Sequence, residues 1–266
     1  YKLMVYEGFQ EAVKRGIPVE KAAVLVDEQY GHGIIGDAIH KGFMTCIPVE
    51  KSGQIEFDFE YGEDFRSHIE AFSPAFVKVL VRYNPEGDQK SNEIQRARLK
   101  LLSEYCCDTG RKLMLELLVP ATVSQLEAVS QDVWAYDNKM RPDCTIQAVG
   151  ELQNDGVEVD VWKLAGVDDG VACSEIVGKI RSDGRSGTGV IILGRGENLN
   201  QVRTWLTVGA KVNGVIGFAV GRTVFWEPLV EYRQQRISRE ETVSKIAGSF
   251  KGFYDLFIRA RGVIGT

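Results

Sequence analysis

The sequence predicts a (β/α)8 TIM barrel of the α/β class, with the first strand absent from the printed residues. Short apolar runs alternate with helical patterns along all 266 residues, and strict alternation over this length favours a barrel. Most of these runs are apolar enough to be buried on both faces, as parallel strands are. No linker rich in Pro, Gly or Ser divides the chain. We therefore expect a single barrel domain over residues 1–266.

The elements follow in a regular order. The chain opens on a helical pattern over residues 1–15, which ends at Gly16 and Pro18. Predicted strands lie at residues 22–26, 43–49, 76–83, 112–119, 159–165, 189–193 and 215–220. Predicted helices lie at 34–41, 63–72, 92–109, 123–152 with a break near Pro142, 173–182, 200–206 and 226–257. Because a helix comes first, we expect that a first strand precedes residue 1, which makes 159–165 the sixth strand.

Composition and charge exclude several classes of protein. A net charge of −5 without a long basic run argues against a nucleic-acid partner. No apolar run approaches the roughly 18 residues of a membrane span, and no signal pattern opens the chain. The five cysteines show no C-x-x-C spacing, and the three histidines form no zinc motif. We therefore expect reduced thiols, a cytoplasmic location and no metal, although a site made of carboxylates alone stays open.

A lysine stands in the buried run at residues 159–165. Alternation places Val161, Lys163 and Ala165 on one face. Loss of hydration on such a face disfavours the ammonium form, which makes Lys163 a candidate amine nucleophile. A buried lysine that is paired with a carboxylate for structural reasons is the alternative.

Further polar residues fall on neighbouring strands, where a barrel has its active site at the C-terminal ends. Valines at alternate positions of 76–83 should face the helices, so Lys78 and Arg82 face the interior. By the same alternation, Glu116 in the strand at 112–119 is predicted to face the interior. Two amines around one carboxylate are costly to bury unless the charges pair or neutralise, and at least one amine should then have a depressed pKa. An ion-pair network that only fills the barrel is the alternative.

The remaining candidate binding residues also lie at strand ends. Asp27, Glu50 and Lys51 follow the first two predicted strands. Two glycine-rich ends follow the last two and contain Gly194, Arg195, Gly221 and Arg222. Loops at those positions commonly bind phosphate through backbone N–H groups, and arginine adds a bidentate contact. A phosphorylated ligand is favoured over tight turns with solvated arginines.

One motif competes with this interpretation. Residues 31–36 read G-x-G-x-x-G after a predicted strand, with Glu50 at the end of the next, which is the dinucleotide-binding fingerprint. Four polar residues, 27–30, separate the strand from the first glycine, whereas in the fingerprint the glycine turn follows the strand directly. We therefore interpret 31–36 as a coincidental loop.

The assembled motifs resemble the domain fused behind sugar kinases in bacterial inositol catabolism, a 2-deoxy-5-keto-gluconate 6-phosphate aldolase. The resemblance covers nearly the whole chain and is carried by LVDEQ (25–29), PVEKSGQ (48–54), FDFEYGEDF (57–65), VKVLVRYNPEGD (77–88), ELLVP (116–120), DVWK (160–163), LGRG (193–196) and GFAVGRT (217–223). More distantly, the order of motifs is similar to that of class I tagatose-bisphosphate aldolases, metal-free barrels that form a Schiff base on a strand-six lysine. Members carry an additional N-terminal strand ending in a P-F-D-H-R-like motif, which the printed residues lack.

The resemblance implies a role for several residues. It makes Lys163 the Schiff-base lysine, Glu116 the catalytic carboxylate, Lys78 the interior lysine and Arg222 the phosphate-binding arginine, with Arg82 or Lys51 as candidates for the substrate carboxylate. No cofactor is implied. The implied partner is a phosphorylated sugar, and a fused or separate sugar kinase and further copies of the chain are candidate partners.

The implied reaction is cleavage of a ketose phosphate to dihydroxyacetone phosphate and malonate semialdehyde. Three alternatives stay open: an aldolase of the tagatose-bisphosphate type, a sugar-phosphate-binding barrel without catalysis, and a nicotinamide-dependent dehydrogenase.

Overall fold

A computed structural model describes residues 1–196 and 198–262 of the chain. In these residues seven parallel strands form one sheet, in which each strand pairs with the next along the chain. The strands are β1 (Ala23–Leu25), β2 (Met44–Pro48), β3 (Phe76–Arg82), β4 (Lys112–Leu118), β5 (Val161–Ala165), β6 (Gly189–Leu193) and β7 (Val215–Ala219). The number of strands and their positions confirm the predicted pattern.

Helices alternate with these strands and form the outer layer. They are α1 (Lys2–Lys14), α2 (Glu28–His40), α3 (Phe65–Phe72), α4 (Gln89–Asp108), α5 (Val123–Ala128), α6 (Val133–Lys139), α7 (Arg141–Asn154), α8 (Gly170–Ile180), α9 (Leu199–Ala210), α10 (Arg222–Arg233) and α11 (Arg239–Gly262). Two short 3-10 turns, Val19–Lys21 and Gly62–Asp64, precede β1 and α3. None of the described helices has the length and apolar character needed to cross a membrane.

The sheet curls into a TIM-like half-barrel that is open between its first and last strands. Within the described residues β1 pairs with β2 alone and β7 with β6 alone. On the outside, α1 packs against α11 at a close approach of Gly8 to Ile246. The helix layer therefore connects the two ends of the sheet. The expectation that an eighth strand precedes residue 1 stays a prediction.

The side chains of β3, β4 and β5 alternate between the two faces of the sheet, as the sequence predicts. Val77, Val79 and Val81 are fully buried in the main core, which lies between the sheet and the helices. Leu113, Leu115 and Leu117 of β4 join the same core, as do Trp162 and Leu164 of β5. The charged side chains of β3, β4 and β5 consequently face the inside of the curled sheet.

Helix α2 corrects one interpretation of the sequence. It begins at Glu28, six residues before the predicted start, because the Asp27 side chain accepts a hydrogen bond from the backbone N–H of Tyr30 and caps the helix. Gly31, Gly33 and Gly36 therefore lie inside α2 and form no loop at all. A dinucleotide fingerprint needs these glycines in a turn before the helix, so the motif does not form the phosphate cradle of such a site.

Candidate active site

Four charged side chains meet inside the curled sheet, three of them buried and the fourth, Glu50, partly buried. We call Glu50, Lys78, Glu116 and Lys163 the charged quartet. One carboxylate oxygen of Glu116 lies 2.9 Å from the Nζ atom of Lys163 and 2.9 Å from that of Lys78. Lys78 also forms an ion pair with Glu50. At 4% and 6% exposure, Lys78 and Lys163 are withdrawn from water, so these contacts replace most of their hydration.

Strand register explains how the quartet assembles. Glu116 of β4 is the direct neighbour of Lys163 of β5, so both side chains leave the sheet at one level on the same face. Lys78 of β3 pairs with Met114, one inward-facing position earlier, and its long side chain reaches the carboxylate from there. Glu50 follows β2 and forms an antiparallel bridge with Phe59 in the connector that leads to α3.

The pKa values of the quartet reflect both burial and pairing. Burial alone would raise the pKa of Glu116, but the ammonium groups of Lys78 and Lys163 outweigh it and hold that pKa below its usual value. Burial would lower the pKa of Lys78, yet the carboxylates of Glu50 and Glu116 raise it. For Glu50 burial dominates over Lys78, and its pKa is raised.

Glu116 lies between the two amines, as the sequence predicts, and Glu50, predicted only as a binding residue at a strand end, adds a second carboxylate. The quartet contains two lysines and two glutamates, and the expected depression of a lysine pKa does not hold for Lys78. Glu50 Oε2 is buried and has no hydrogen-bond partner among the described residues. An oxygen of this kind can accept a hydrogen bond from a ligand hydroxyl.

The quartet lies above an apolar layer formed by Cys46, Met114 and Val161, which are nearer the N-terminal ends of their strands. Burial raises the pKa of the Cys46 thiol to about 12, so it stays protonated at neutral pH and is a poor nucleophile. The C-terminal side of the quartet is therefore the side from which a ligand can approach.

A pocket of about 120 Å3 opens at the C-terminal ends of β4 and β5. We call it the arginine pocket, because Arg82, Arg141 and Arg195 line it. Thr145 and six apolar residues complete its wall: Leu117, Leu118, Val119, Pro120, Leu164 and Ala165. Leu117 and Leu164 of this wall also belong to the core between the sheet and the helices, and no member of the quartet lines the pocket.

Arg141 was missed by the sequence prediction, which collected residues at strand ends. It is the first residue of α7 and is only 5% exposed. Its guanidinium donates to Asp137 over 2.9 Å and to the backbone oxygen of Gly166 over 2.8 Å. Burial lowers its pKa, although Asp137 partly compensates. The spacing of Asp137 and Arg141, i and i+4 on a helical stretch, was the available signal.

The two glycine-rich turns that were predicted to bind phosphate lie side by side. Arg222 opens α10 immediately after Gly221, and a methyl group added to Gly196 would lie 2.6 Å from its guanidinium. Gly194 approaches the side chains of Val220 and Thr223. Arg195, in contrast, donates to both oxygens of Asp137, at 2.9 and 2.8 Å. The predicted group is therefore divided between this double turn and the arginine pocket.

The other predicted binding residues have structural partners. Asp27 caps α2 and forms an ion pair with Lys2. Lys51 is bonded to Asp58 over 2.9 Å, and that contact lowers the pKa of Asp58. Arg82 donates to the backbone oxygen of Gln54 over 2.6 Å and makes no ion pair within residues 1–196 and 198–262. Of these residues, only Arg82 lines the arginine pocket.

Taken together, the fold and the quartet define a TIM-like α/β chain with a buried lysine–carboxylate site in its interior. Residues 1–261 match the family DUF2090, which is described as an uncharacterized protein conserved in bacteria, and the chain belongs to this family. A search of curated proteins by sequence found no match.

Solved structures with the same fold include three at low sequence identity. Cgl0159 of Corynebacterium glutamicum is 17% identical, with a TM-score of 0.59 over 94% of this chain and 76% of that one. An archaeal fructose 1,6-bisphosphate aldolase is 12% identical, with a TM-score of 0.54 over 94% and 99%. A Schiff-base-forming fructose-1,6-bisphosphate aldolase is 15% identical, with a TM-score of 0.51 over 96% and 99%. At these identities the likeness is one of fold.

Proposed function

We propose that the chain is a Schiff-base aldolase that uses Lys163 as its nucleophile. The observation that carries this proposal is the contact of 2.9 Å between Lys163 Nζ and a carboxylate oxygen of Glu116 in the interior of the half-barrel. A buried amine beside a carboxylate places a nucleophile and a proton acceptor within reach of one carbonyl carbon. The aldolases among the solved structures of the same fold support this chemistry.

The mechanism starts at the ketone of the substrate. Lys163, once neutral, attacks this carbon to form a carbinolamine, and loss of water gives an iminium. The positive nitrogen accepts the electron pair of the C3–C4 bond as that bond breaks. Glu116 removes the proton of the C3 hydroxyl, and its low pKa keeps it ionised for this task at neutral pH. The enamine that remains is protonated and hydrolysed, which returns free Lys163.

Lys78 and Glu50 assist at the same carbon in this proposal. The raised pKa of Lys78 keeps it an ammonium, which can donate a hydrogen bond to the carbinolamine oxygen. The unpartnered oxygen of Glu50 is available to a substrate hydroxyl. Both residues are therefore assigned to binding and stabilising the reacting centre.

The substrate in this proposal is 2-deoxy-5-keto-gluconate 6-phosphate, cleaved to dihydroxyacetone phosphate and malonate semialdehyde. The long sequence motifs that resemble the inositol-catabolism domain support this choice, and Lys78, Glu116 and Lys163 all lie in these motifs. The phosphate is assigned to Arg222 with the backbone of Gly194 and Gly221, since the double turn offers N–H groups at the start of α10 next to an arginine.

Release of triose phosphate from this substrate tests the function. The wild-type chain should release dihydroxyacetone phosphate, and Lys163→Met should abolish the release, because methionine fills the same space without an amine. Lys90→Met, which removes an exposed lysine, is the matched control and should retain full activity. Release by Lys163→Met at the wild-type rate would overturn the proposal.

A further inference from the structure

We propose that Asp137 is a positioning residue, which fixes the turn at residues 194–196 through Arg195 and so holds Arg222 in place for the substrate phosphate. This role rests on the proposed aldolase function, in which Arg222 binds that phosphate. It also removes Arg195 from the direct phosphate ligands that the sequence predicts. Asp137 lies on α6, between β4 and β5, whereas Arg195 follows β6, so no local sequence pattern connects the two residues.

Asp137 joins two arginines that come from different parts of the chain. Its carboxylate accepts a hydrogen bond from Nε of Arg141 at 2.9 Å, and Nη1 of Arg195 lies 2.9 and 2.8 Å from its two oxygens. Only 16% of the Asp137 side chain is exposed, so water and salt screen these ion pairs less than those at the surface. Charge-assisted hydrogen bonds of this kind hold both guanidinium groups in a defined orientation.

Arg141 attaches this ion pair to β5. The buried Arg141 guanidinium donates to the backbone oxygens of Ala165 and Gly166, at 3.4 and 2.8 Å. A Cβ atom added to Gly166 would lie 2.3 Å from the side chain of Trp205, so this backbone is tightly packed and has little room to move. Asp137 is consequently held at a fixed position relative to the end of β5.

Arg195 adopts a backbone conformation that needs a compensating contact. Its φ angle is 53°, in the left-handed region that residues with a Cβ atom rarely adopt. Gly196 follows with a φ angle of 80°, which glycine adopts without a steric penalty. An unfavourable backbone conformation persists where surrounding contacts enforce it. The two contacts of Arg195 with Asp137 are such a restraint, and they select this conformation of the turn.

The conformation of the turn determines where Arg222 lies. A Cβ atom added to Gly196 would lie 2.6 Å from an Nη atom of Arg222, so the guanidinium packs directly against the backbone of the turn. Gly194, in the same turn, lies beside the side chains of Val220 and Thr223. A different conformation of residues 194–196 would either collide with the guanidinium or leave it without this contact.

These contacts form a continuous path from the strand of Lys163 to the arginine of the phosphate site. The path runs from β5 through Arg141, Asp137 and Arg195 to Arg222. A Schiff-base aldolase has to hold the carbonyl of its substrate at the lysine while it binds the phosphate elsewhere, so the separation of the two groups has to be fixed. Arg195 therefore acts on the turn and not on the phosphate.

Reductive trapping with two trioses tests the role of Asp137. Borohydride should label the wild-type chain in the presence of dihydroxyacetone phosphate and, at higher concentration, of dihydroxyacetone, which has no phosphate. Asp137→Asn should raise the concentration of dihydroxyacetone phosphate for half-maximal labelling about tenfold, as for the loss of a charge-assisted contact. Labelling by dihydroxyacetone should not change, whereas a general loss of structure would reduce labelling by both trioses.

A mutant cycle separates a positioning role from direct phosphate binding. Arg195→Gln should have the same effect as Asp137→Asn, and the double variant should have no larger effect, because both substitutions remove one ion pair. Arg195→Gln leaves Asp137 paired with Arg141, so it keeps the test decisive if Asp137→Asn does not fold. Asp143→Asn makes the same charge change at an exposed position of α7, and as the control it should change neither labelling reaction.

Three results would overturn the role of Asp137: a half-maximal concentration that is unchanged in Asp137→Asn or in Arg195→Gln, effects of the two substitutions that add in full, or equal losses with both trioses. Calorimetric titration with inorganic phosphate separates this role from the aldolase function, because phosphate binding needs no reaction at Lys163. Weaker phosphate binding by Asp137→Asn, together with a wild-type chain that is never labelled, would remove the aldolase alone. Labelling of the wild type with phosphate affinity that ignores Asp137 would remove the positioning role alone.

Discussion

Glu116 holds the centre of the charged quartet, because one of its oxygens lies 2.9 Å from both lysine nitrogens. Without its negative charge, Lys163 would lose its ion pair and Lys78 would keep only the one with Glu50. Loss of one partner from a buried ion pair costs about 3 to 5 kcal/mol, most of which is the penalty of the charge left behind. The Glu116 carboxylate should therefore contribute more to stability than any surface ion pair.

We predict that Glu116→Gln lowers the free energy of unfolding by roughly 3 kcal/mol at neutral pH. The pKa of Glu116 is lower in the folded chain than its ordinary value of 4.5. Its stabilising contribution is therefore present above pH 4.5 and is lost as the pH falls through the folded value. The difference between wild type and variant should shrink on acidification, as measured by denaturant unfolding from pH 7 to pH 3.

Glu93→Gln is the control for this prediction, since Glu93 is exposed. Its effect on unfolding should be within about 0.5 kcal/mol at every pH. A difference between wild type and Glu116→Gln that grew toward low pH would contradict the assigned direction of the Glu116 pKa.

Sequence patterns could identify most of this site but not all of it. Lys78, Glu116 and Lys163 stand in alternating strands, and alternation with period two decides which face each occupies. The contact of Glu50 with Lys78 depends on the path of the chain after β2, which no local pattern encodes. Arg141 lies on a helix, and only the packing of α7 against β5 brings it to the pocket.

Helix α2 shows how a capping residue overrides a motif. Asp27 accepts a hydrogen bond from the backbone N–H of Tyr30 and starts the helix early, so the glycines of the fingerprint lie inside a helix. Most other predicted helices end within a few residues of the observed ones, but the stretch 123–152 divides into α5, α6 and α7, and 226–257 divides into α10 and α11. In α2 the first turn contains Gly31 and polar residues, and the apolar period begins only at Ile34.

The three glycines of α2 should respond differently to substitution. Gly33 and Gly36 have open space where a Cβ would stand, whereas a Cβ at Gly31 would lie 2.2 Å from a methyl group of Val26. Gly33→Ala and Gly36→Ala should each stabilise the chain by roughly 0.5 to 1 kcal/mol, the usual gain of alanine over glycine in a helix. Gly31→Ala should destabilise it by about 1 to 3 kcal/mol.

Thermal unfolding of the three variants measures these effects side by side. The same set tests the dinucleotide alternative, which requires the glycines to form a phosphate-binding turn. Destabilisation by Gly33→Ala, together with binding of reduced nicotinamide cofactor by the wild type, would contradict the helical assignment.

At the scale of the whole molecule, the helices outside the sheet connect its two unpaired edges, β1 and β7. β1 and β7 are not paired in the described residues, and the packing of α1 on α11 spans the gap between them. Gly8 permits this close approach, because a Cβ there would lie 2.5 Å from a methyl carbon of Ile246. This contact joins residues more than two hundred positions apart in the chain.

Gly8→Ala should push α1 away from α11 and lower the free energy of unfolding by about 1 to 3 kcal/mol. Gly252→Ala is the matched control, since it lies in α11 with open space around its Cβ position, and it should stabilise the chain by about 0.4 to 1 kcal/mol. Equal effects of the two substitutions in denaturant titration would show that α1 does not hold the ends of the sheet together.

The central claim, that Lys163 is a Schiff-base nucleophile, is tested most directly by borohydride reduction in the presence of dihydroxyacetone phosphate, followed by peptide mapping. The account predicts one reduced triose adduct per chain, on the peptide that contains Lys163, and none in Lys163→Met. Lys78→Met should retain an adduct at Lys163, formed more slowly. An adduct on Lys78, or a wild-type chain that stays unmodified while a known Schiff-base aldolase is labelled beside it, would contradict the account.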